Sequence, residues 1–205
     1  MEGVRFRYPD GRTALDGIDL EVGSGASLGI SGPNGSGKST LLRHLNGLLR
    51  PTSGRVVIGG QDAGGARVGR LARVVGLVFQ EPEDQLFRST VAAEVAAGAG
   101  SARSAEHALE LVGLGHRSRE HPQDLGYSRR KLLCIAAVLA METPVLVLDE
   151  PTAGQDADGR SRVATVVREA LAQGRTVIVA GHDRAFMAAE LDRQVALVGG
   201  RLATS

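Results

Sequence analysis

A single cysteine, Cys134, excludes any disulfide within the chain; it lies in the apolar run "LLCIAAVLAM" and reads as a small buried hydrophobe in a reducing compartment. Runs of that length fall well short of the roughly 20 apolar residues that span a bilayer. No signal peptide is read at the opening, so a soluble, cytoplasmic chain is expected. Lysine occurs only at Lys38 and Lys131, against 22 arginines, and the formal charge is +1. That balance leaves no polyelectrolyte footprint, which argues against a nucleic-acid partner. Tryptophan is absent, and the two tyrosines are Tyr8 and Tyr127. At 205 residues the chain can still bury a full core as one domain.

One of the two lysines stands in "GPNGSGKST", Gly32 to Thr40, between a predicted strand and a predicted helix. The spacing fits G-x-x-x-x-G-K-[ST], read as Gly32, Gly37, Lys38 and Ser39. Glycine lets backbone N–H groups turn inward and approach a ligand closely, and the helix start adds the positive end of its dipole. The loop Gly32, Pro33, Asn34, Gly35, Ser36, Gly37, Lys38, Ser39 and Thr40 is therefore a candidate polyphosphate cradle. Lys38 reaches the β/γ-phosphates in this pattern, and the Ser39 hydroxyl ligates magnesium.

The segments "SLGI", "VVGLVF", "VLVL" and "TVIVA" are short, β-rich and apolar on both faces, as strands inside a helix-covered parallel sheet are. The N-terminal "VRFRY" and "IDLEV" alternate instead, and read as half-exposed antiparallel strands around the "PDGR" turn. Helices are predicted over 38–49, 91–97, 104–112, 128–141, 159–173 and 184–191. The block from about 84 to 143 contains no convincing strand, so it reads as a helical subdomain inserted into a core of about 1–83 and 144–205. "GQDAGGARVG" and "AAGAGSARSA" read as exposed connections.

Each buried strand runs into a polar signal: the Lys38 loop, Gln80, the pair Asp149 and Glu150, and His182. In an open parallel sheet the strand C-termini share one edge, where such folds bind ligands. Asp149 can hold magnesium, and Glu150 beside it can orient or deprotonate an attacking water. Gln80 can contact metal or water, and His182 can hydrogen-bond a γ-phosphate. Tyr8 fits two roles, stacking on adenine or packing beneath the hairpin. His44, His107, His116 and His121 show no metal-ligand spacing and read as solvated side chains.

Together these residues resemble the nucleotide-binding ATPase of an ABC transporter over nearly the whole chain. "GPNGSGKST" resembles its Walker A loop, "VLVLDEPTAG" its Walker B strand, Gln80 its Q-loop, His182 its switch histidine and Tyr8 its adenine-stacking aromatic. The resemblance implies an α/β P-loop NTPase (RecA-like) parallel-sheet core with N-terminal antiparallel strands and the inserted helical subdomain. It implies ATP and Mg2+ as cofactors, with Ser39, Gln80 and Asp149 at the metal and Glu150, His182 and Gln80 in catalysis. "FQEPEDQLF", Phe79 to Phe87, is similar to a segment of energy-coupling factor transporters, whose ATPases drive uptake of vitamins or of cobalt and nickel ions. There it implies partner contacts for Asp84, Gln85 and Phe87, a transmembrane coupling subunit, a separate substrate-binding membrane subunit, and a peripheral place on the cytoplasmic face of the membrane.

Two stretches depart from the family. "LGYSR", Leu125 to Arg129, stands where LSGGQ is expected, the loop that in the family caps ATP on the opposite subunit. "AGQD", with Gln155, replaces the usual SALD-like sequence. Ser128 still supplies a hydroxyl, while Arg129, Arg130 and Lys131 place three cations where a helix dipole disfavours them. Either an anion nearby or a solvated basic turn accounts for that cluster. A heterodimer with a second ATPase carrying an intact signature is expected, with a homodimer as the alternative. The rivals are a regulatory subunit with weak hydrolysis and a soluble, non-transport ABC ATPase. The chain ends soon after "QVALVGG", so an accessory C-terminal region of relatives is expected to be absent or cut away.

Overall fold

The computed structural model describes residues 1–203. Its central sheet has six strands in the order β11-β10-β3-β9-β8-β7. The five parallel members are β3 (Ser27–Ser31), β7 (Val75–Val78), β8 (Val145–Asp149), β9 (Thr176–Gly181) and β10 (Arg193–Val198), and β11 (Arg201–Ala203) adds an antiparallel edge. All four apolar runs of the sequence are in this sheet. Their side chains feed two cores: Leu146, Leu148, Val177 and Val179 face one way, and Val147, Ile178 and Ala180 the other. Each fully buried Val, Leu or Ile contributes about 1.5–3 kcal/mol, so this two-sided burial dominates over strand propensity.

One face is covered by α3 (Val91–Ala96), α4 (Ala102–Leu111), α5 (Tyr127–Ala140) and α6 (Ala157–Ala172), and α7 (Arg184–Glu190) packs beside α6. The other carries α1 (Lys38–Leu45) and a three-stranded antiparallel sheet of β1 (Glu2–Arg7), β2 (Thr13–Ile18) and β4 (Ser53–Arg55). A two-residue ladder, β5 (Val57–Ile58) with β6 (Gln61–Asp62), and the single turn α2 (Val68–Leu71) follow β4. No strand occurs between Val78 and Val145 among the described residues.

Three expectations need correction. The second strand is Thr13–Ile18, not "IDLEV": Val4 pairs with Ile18 and Phe6 with Leu15. Leu20 is buried and bonded to Met1 through both backbone groups, so its alternation with Ile18 marks an extended, half-buried segment outside the ladder. Within "GQDAGGARVG", β6 forms and Ala63 is buried. Helix α4 starts at Ala102 because Ser101 and Ser104 cap each other's backbone N–H groups reciprocally, a two-bond box that fixes the first turn earlier than apolar spacing suggests.

Candidate active site

The glycine-rich loop joins β3 to α1 and is held by its own lysine. Lys38 Nζ donates to the carbonyls of Gly32 (2.8 Å) and Pro33 (3.3 Å) and lies 3.5 Å from Glu150 Oε1. Gly37 has φ +107°, and a Cβ there would meet Ala14 O at 2.5 Å, so no other residue fits the helix start. Residues 34–40 line a small concavity of about 130 Å³ together with Arg12, Ala14, Gln80 and Glu150. A larger concavity, about 790 Å³, opens at the opposite strand ends between Asp19, Val22, Val145 and Thr176 and holds none of the motif residues.

Glu150 leaves β8 in the left-handed region, at φ +50°, one of two non-glycine residues with positive φ among those described. Such a conformation costs about 1–3 kcal/mol and persists only where the surroundings enforce it. Here the Glu150 N–H donates to Ala180 O (2.8 Å), and its carboxylate accepts from His182 N–H (3.3 Å). A Cβ on Gly181 would come within 3.1 Å of Glu150 Oε2, so the glycine leaves room for that carboxylate. His182 Nε2 stands 2.8 Å from Asn34 Oδ1 and 3.2 Å from Glu150 Oε1. Both are acceptors, so Nε2 carries the proton. Lys38, Glu150, His182 and Asn34 thus form one contiguous polar cluster, although Asn34 and His182 are 148 positions apart.

Asp149 is buried, and its Oδ1 has no hydrogen-bond partner. Burial pushes its carboxyl above the ordinary carboxylate range, while the Ser39 hydroxyl pulls the other way. An orphaned carboxylate oxygen beside a hydroxyl fits a hard divalent cation. Mg2+ is commonly bound by one or two carboxylates plus substrate phosphates, and among the described residues no group of three His, Cys, Asp or Glu side chains could form an all-protein cage. Gln80 is exposed and borders the same concavity as Ser39.

Tyr8 OH is 2.9 Å from Thr40 Oγ1, and its ring meets Phe6 edge-on with centroids 4.9 Å apart. The Arg12 guanidinium lies 4.6 Å above that ring. His44 is not solvated: it is 1% exposed, its Nδ1 is 2.7 Å from Thr40 O, and its ring packs edge-on against Phe6. Burial lowers its pKa. Cys134 is buried as expected, its thiol pushed up to about 12.

Gln85 is half-buried, with both ends of its amide engaged within the chain. Its side-chain carbonyl accepts from Phe79 N–H (2.7 Å) and its amide donates to Leu77 O (2.9 Å), extending the end of β7. Asp84 is exposed, and so is 78% of Phe87, whose N–H is held with that of Arg88 by the buried Glu94 carboxylate at 2.8 and 2.7 Å.

At the start of α5 the cation cluster divides. Arg130 pairs with Glu83 (2.9 Å), whereas Lys131 is 1% exposed, with its ammonium 5.7 Å from the Tyr127 ring centroid and without a hydrogen bond. A solvated basic turn therefore does not describe Lys131, while Arg129 is exposed. Ser128 Oγ donates to Gln155 Oε1 (2.6 Å), and Gln155 Nε2 donates back to Ser128 O (3.0 Å). Tyr127 packs on Gly154, and its hydroxyl is 3.4 Å from Glu81 Oε2. Arg12, Glu81 and Glu94 were not singled out from sequence. Arg12 was within reach, because a tight "YPDGR" turn sets it opposite Tyr8.

The family model described as ABC transporter matches residues 15–153. An energy-coupling factor transporter ATP-binding protein EcfA of Carboxydothermus hydrogenoformans is 39% identical, covering 98% of this chain and 78% of that protein. EcfA of Methanocaldococcus jannaschii is 37% identical over 96% of this chain and 74% of its own length. Among solved structures, cbiO1 of Clostridium perfringens, part of the ABC transporter complex cbiONQ, is similar with a TM-score of 0.85 and 34% identity, covering 99% of this chain and 85% of that one. An ATP-binding cassette captured as a post-hydrolysis dimer with ADP and phosphate is similar with a TM-score of 0.89 and 26% identity, covering 99% and 95%. With the family model spanning most of the chain and relatives matching nearly all of it, this protein belongs to the ABC transporter family, as one of its ATPase subunits.

Proposed function

We propose that this chain hydrolyses the β–γ bond of MgATP to power import by an energy-coupling factor type transporter. The observation that carries the reading is the polar cluster at the strand edge, where Lys38 and His182 stand 3.5 and 3.2 Å from the same Glu150 oxygen. The backbone N–H groups of the loop, which Pro33 lacks, and the Lys38 ammonium hold the phosphates, and Tyr8 stacks on adenine. Ser39 and Asp149, with Gln80, hold Mg2+, which when bound neutralises charge on the phosphate oxygens. Glu150 takes the proton of the attacking water as its oxygen bonds to the γ-phosphorus and the bond to the β–γ bridging oxygen breaks, leaving ADP and phosphate. His182, donating from Nε2, stabilises the γ-phosphoryl group.

In this reading a core of about 1–83 and 144–205 carries a helical subdomain of about 84–143 in a single domain. Asp84 and Phe87 contact a transmembrane coupling subunit, while a separate membrane protein binds the substrate. The EcfA and cbiO1 relatives support this assembly, and so does the exposure of Phe87 on a loop pinned by Gln85 and Glu94. The chain is then peripheral on the cytoplasmic membrane face; no helix among those described is long and apolar enough to cross a bilayer. The second ATPase is a different chain with an intact signature, because here Ser128, Tyr127 and Lys131 are engaged within the chain.

ATPase assays of the isolated chain and of the complex co-purified from native membranes test this. The isolated chain turns over slowly and the complex at least ten-fold faster. Brisk, cooperative hydrolysis by the isolated chain contradicts the need for a partner.

A further inference from the structure

We propose that Arg12 is a nucleotide ligand that covers the Tyr8 ring and is drawn off it by phosphate, so that the triphosphate itself uncovers the adenine platform. The proposal deepens the ATP reading above and rests on it. Tyr8 cannot readily turn away: its hydroxyl is tied to Thr40 at 2.9 Å and Phe6 meets its edge. Arg12 is fixed opposite by the backbone, since Tyr8 N–H donates to Arg12 O (2.9 Å) and Arg12 N–H donates to Asp10 Oδ1 (2.9 Å). Its side chain is exposed and forms no ion pair with a carboxylate among the described residues. Five guanidinium donors therefore stand with only the ring face as partner.

Arg12 borders the concavity of residues 34–40 while its guanidinium lies 4.6 Å from the Tyr8 ring, so one side chain adjoins both the phosphate cradle and the aromatic face. Two attractions compete for it. A cation over an exposed aromatic face is held weakly, whereas a guanidinium on phosphate gains a charge-assisted, bidentate contact, each bond roughly twice as strong as a neutral hydrogen bond. Phosphate in the cradle therefore wins, and the face that Arg12 leaves is free for the base. A base without phosphates has to displace the cation unaided, so Arg12 opposes nucleosides and favours nucleotides.

Opposite effects on two ligands test this. Arg12→Ala should weaken tripolyphosphate and ATP about ten-fold, the size of one charge-assisted contact, and should leave adenosine binding unchanged or tighter. Arg12→Lys, which keeps the charge but loses the flat fork, should fall between. The chain has two tyrosines and no tryptophan, so 3-fluorotyrosine labelling gives two fluorine resonances, which Tyr127→Phe assigns. Tripolyphosphate should move the Tyr8 resonance in the native chain, and by less than half as much in Arg12→Ala. Tripolyphosphate affinity within two-fold of native in Arg12→Ala, or adenosine weakened alongside it, overturns the proposal while ATP binding stands. If the native chain binds neither ATP nor tripolyphosphate in equilibrium dialysis, the ATP reading fails, and this proposal with it.

Discussion

At the strand edge, Lys38, His182 and Asn34 turn toward Glu150 and the cradle, whereas the first turn of α5 turns Tyr127, Ser128 and Lys131 into its own chain. The two regions carry the same kinds of groups: a helix start, hydroxyls and cations. What differs is where their hydrogen-bonding capacity goes. At the edge an orphaned Asp149 oxygen and a strained Glu150 are left for a ligand to complete. At α5 the Ser128 hydroxyl and the Gln155 amide satisfy each other, and the polar atom left over is the Lys131 ammonium, buried beside the Tyr127 ring without a hydrogen bond. A motif that deviates in sequence has thus acquired internal partners, and "LGYSR" and "AGQD" are two halves of one contact.

The largest expected effect breaks the edge. Lys38→Ala removes a charge-assisted contact and should weaken ATP binding about 10–100-fold, read by equilibrium dialysis with thermal melting as the control for folding. On the α5 side, Lys131→Met replaces a buried ammonium that has no hydrogen bond with an apolar chain of similar length. It should stabilise the fold by about 1–3 kcal/mol in urea unfolding; a loss of stability would mean that the nearby Glu81, Glu150 and Asp149 charges hold the ammonium firmly. Ser128→Ala and Gln155→Ala should each cost about 0.5–1.5 kcal/mol, and the double variant no more than the larger of the two. Additive costs would separate the two residues.

The smallest effect concerns His44. Burial depresses its folded pKa, so between that value and the unfolded value of about 6.5 the unfolded chain binds more protons. Stability is full above about pH 6.5 and falls as pH drops below it, levelling off beneath the folded pKa. His44→Gln should remove that slope from urea midpoints measured across the range; an unchanged slope assigns it elsewhere.

Much of the core was legible because parallel strands buried on both faces read as continuous apolar runs, and Val75–Val78, Val145–Asp149 and Thr176–Gly181 do. The cradle was legible because its glycines and lysine occupy fixed spacings. The second strand was not, because alternation reports half-burial and not ladder pairing, as Leu20 shows. Lys131 was legible as a cation of the helix start but its burial was not, because α5 is buried nearly all round and periodicity along it says nothing about which side meets water. His44 could have been found: it shares the buried side of α1 with Thr40, Leu41 and Leu45. The inward turn of Gln85 and the Ser128–Gln155 pair arise from contacts between separate segments, which no local pattern encodes.

The most direct measurement is the nucleotide recovered from washed Glu150→Gln protein after incubation with MgATP in the co-purified complex. Acid–base groups contribute about 10²–10⁴-fold to such steps. The account predicts that the cradle of this chain retains ATP with its γ-phosphate intact, where the native complex yields ADP. Recovery of ADP at the native rate would contradict the assignment of Glu150 and, with it, the single site at the strand edge.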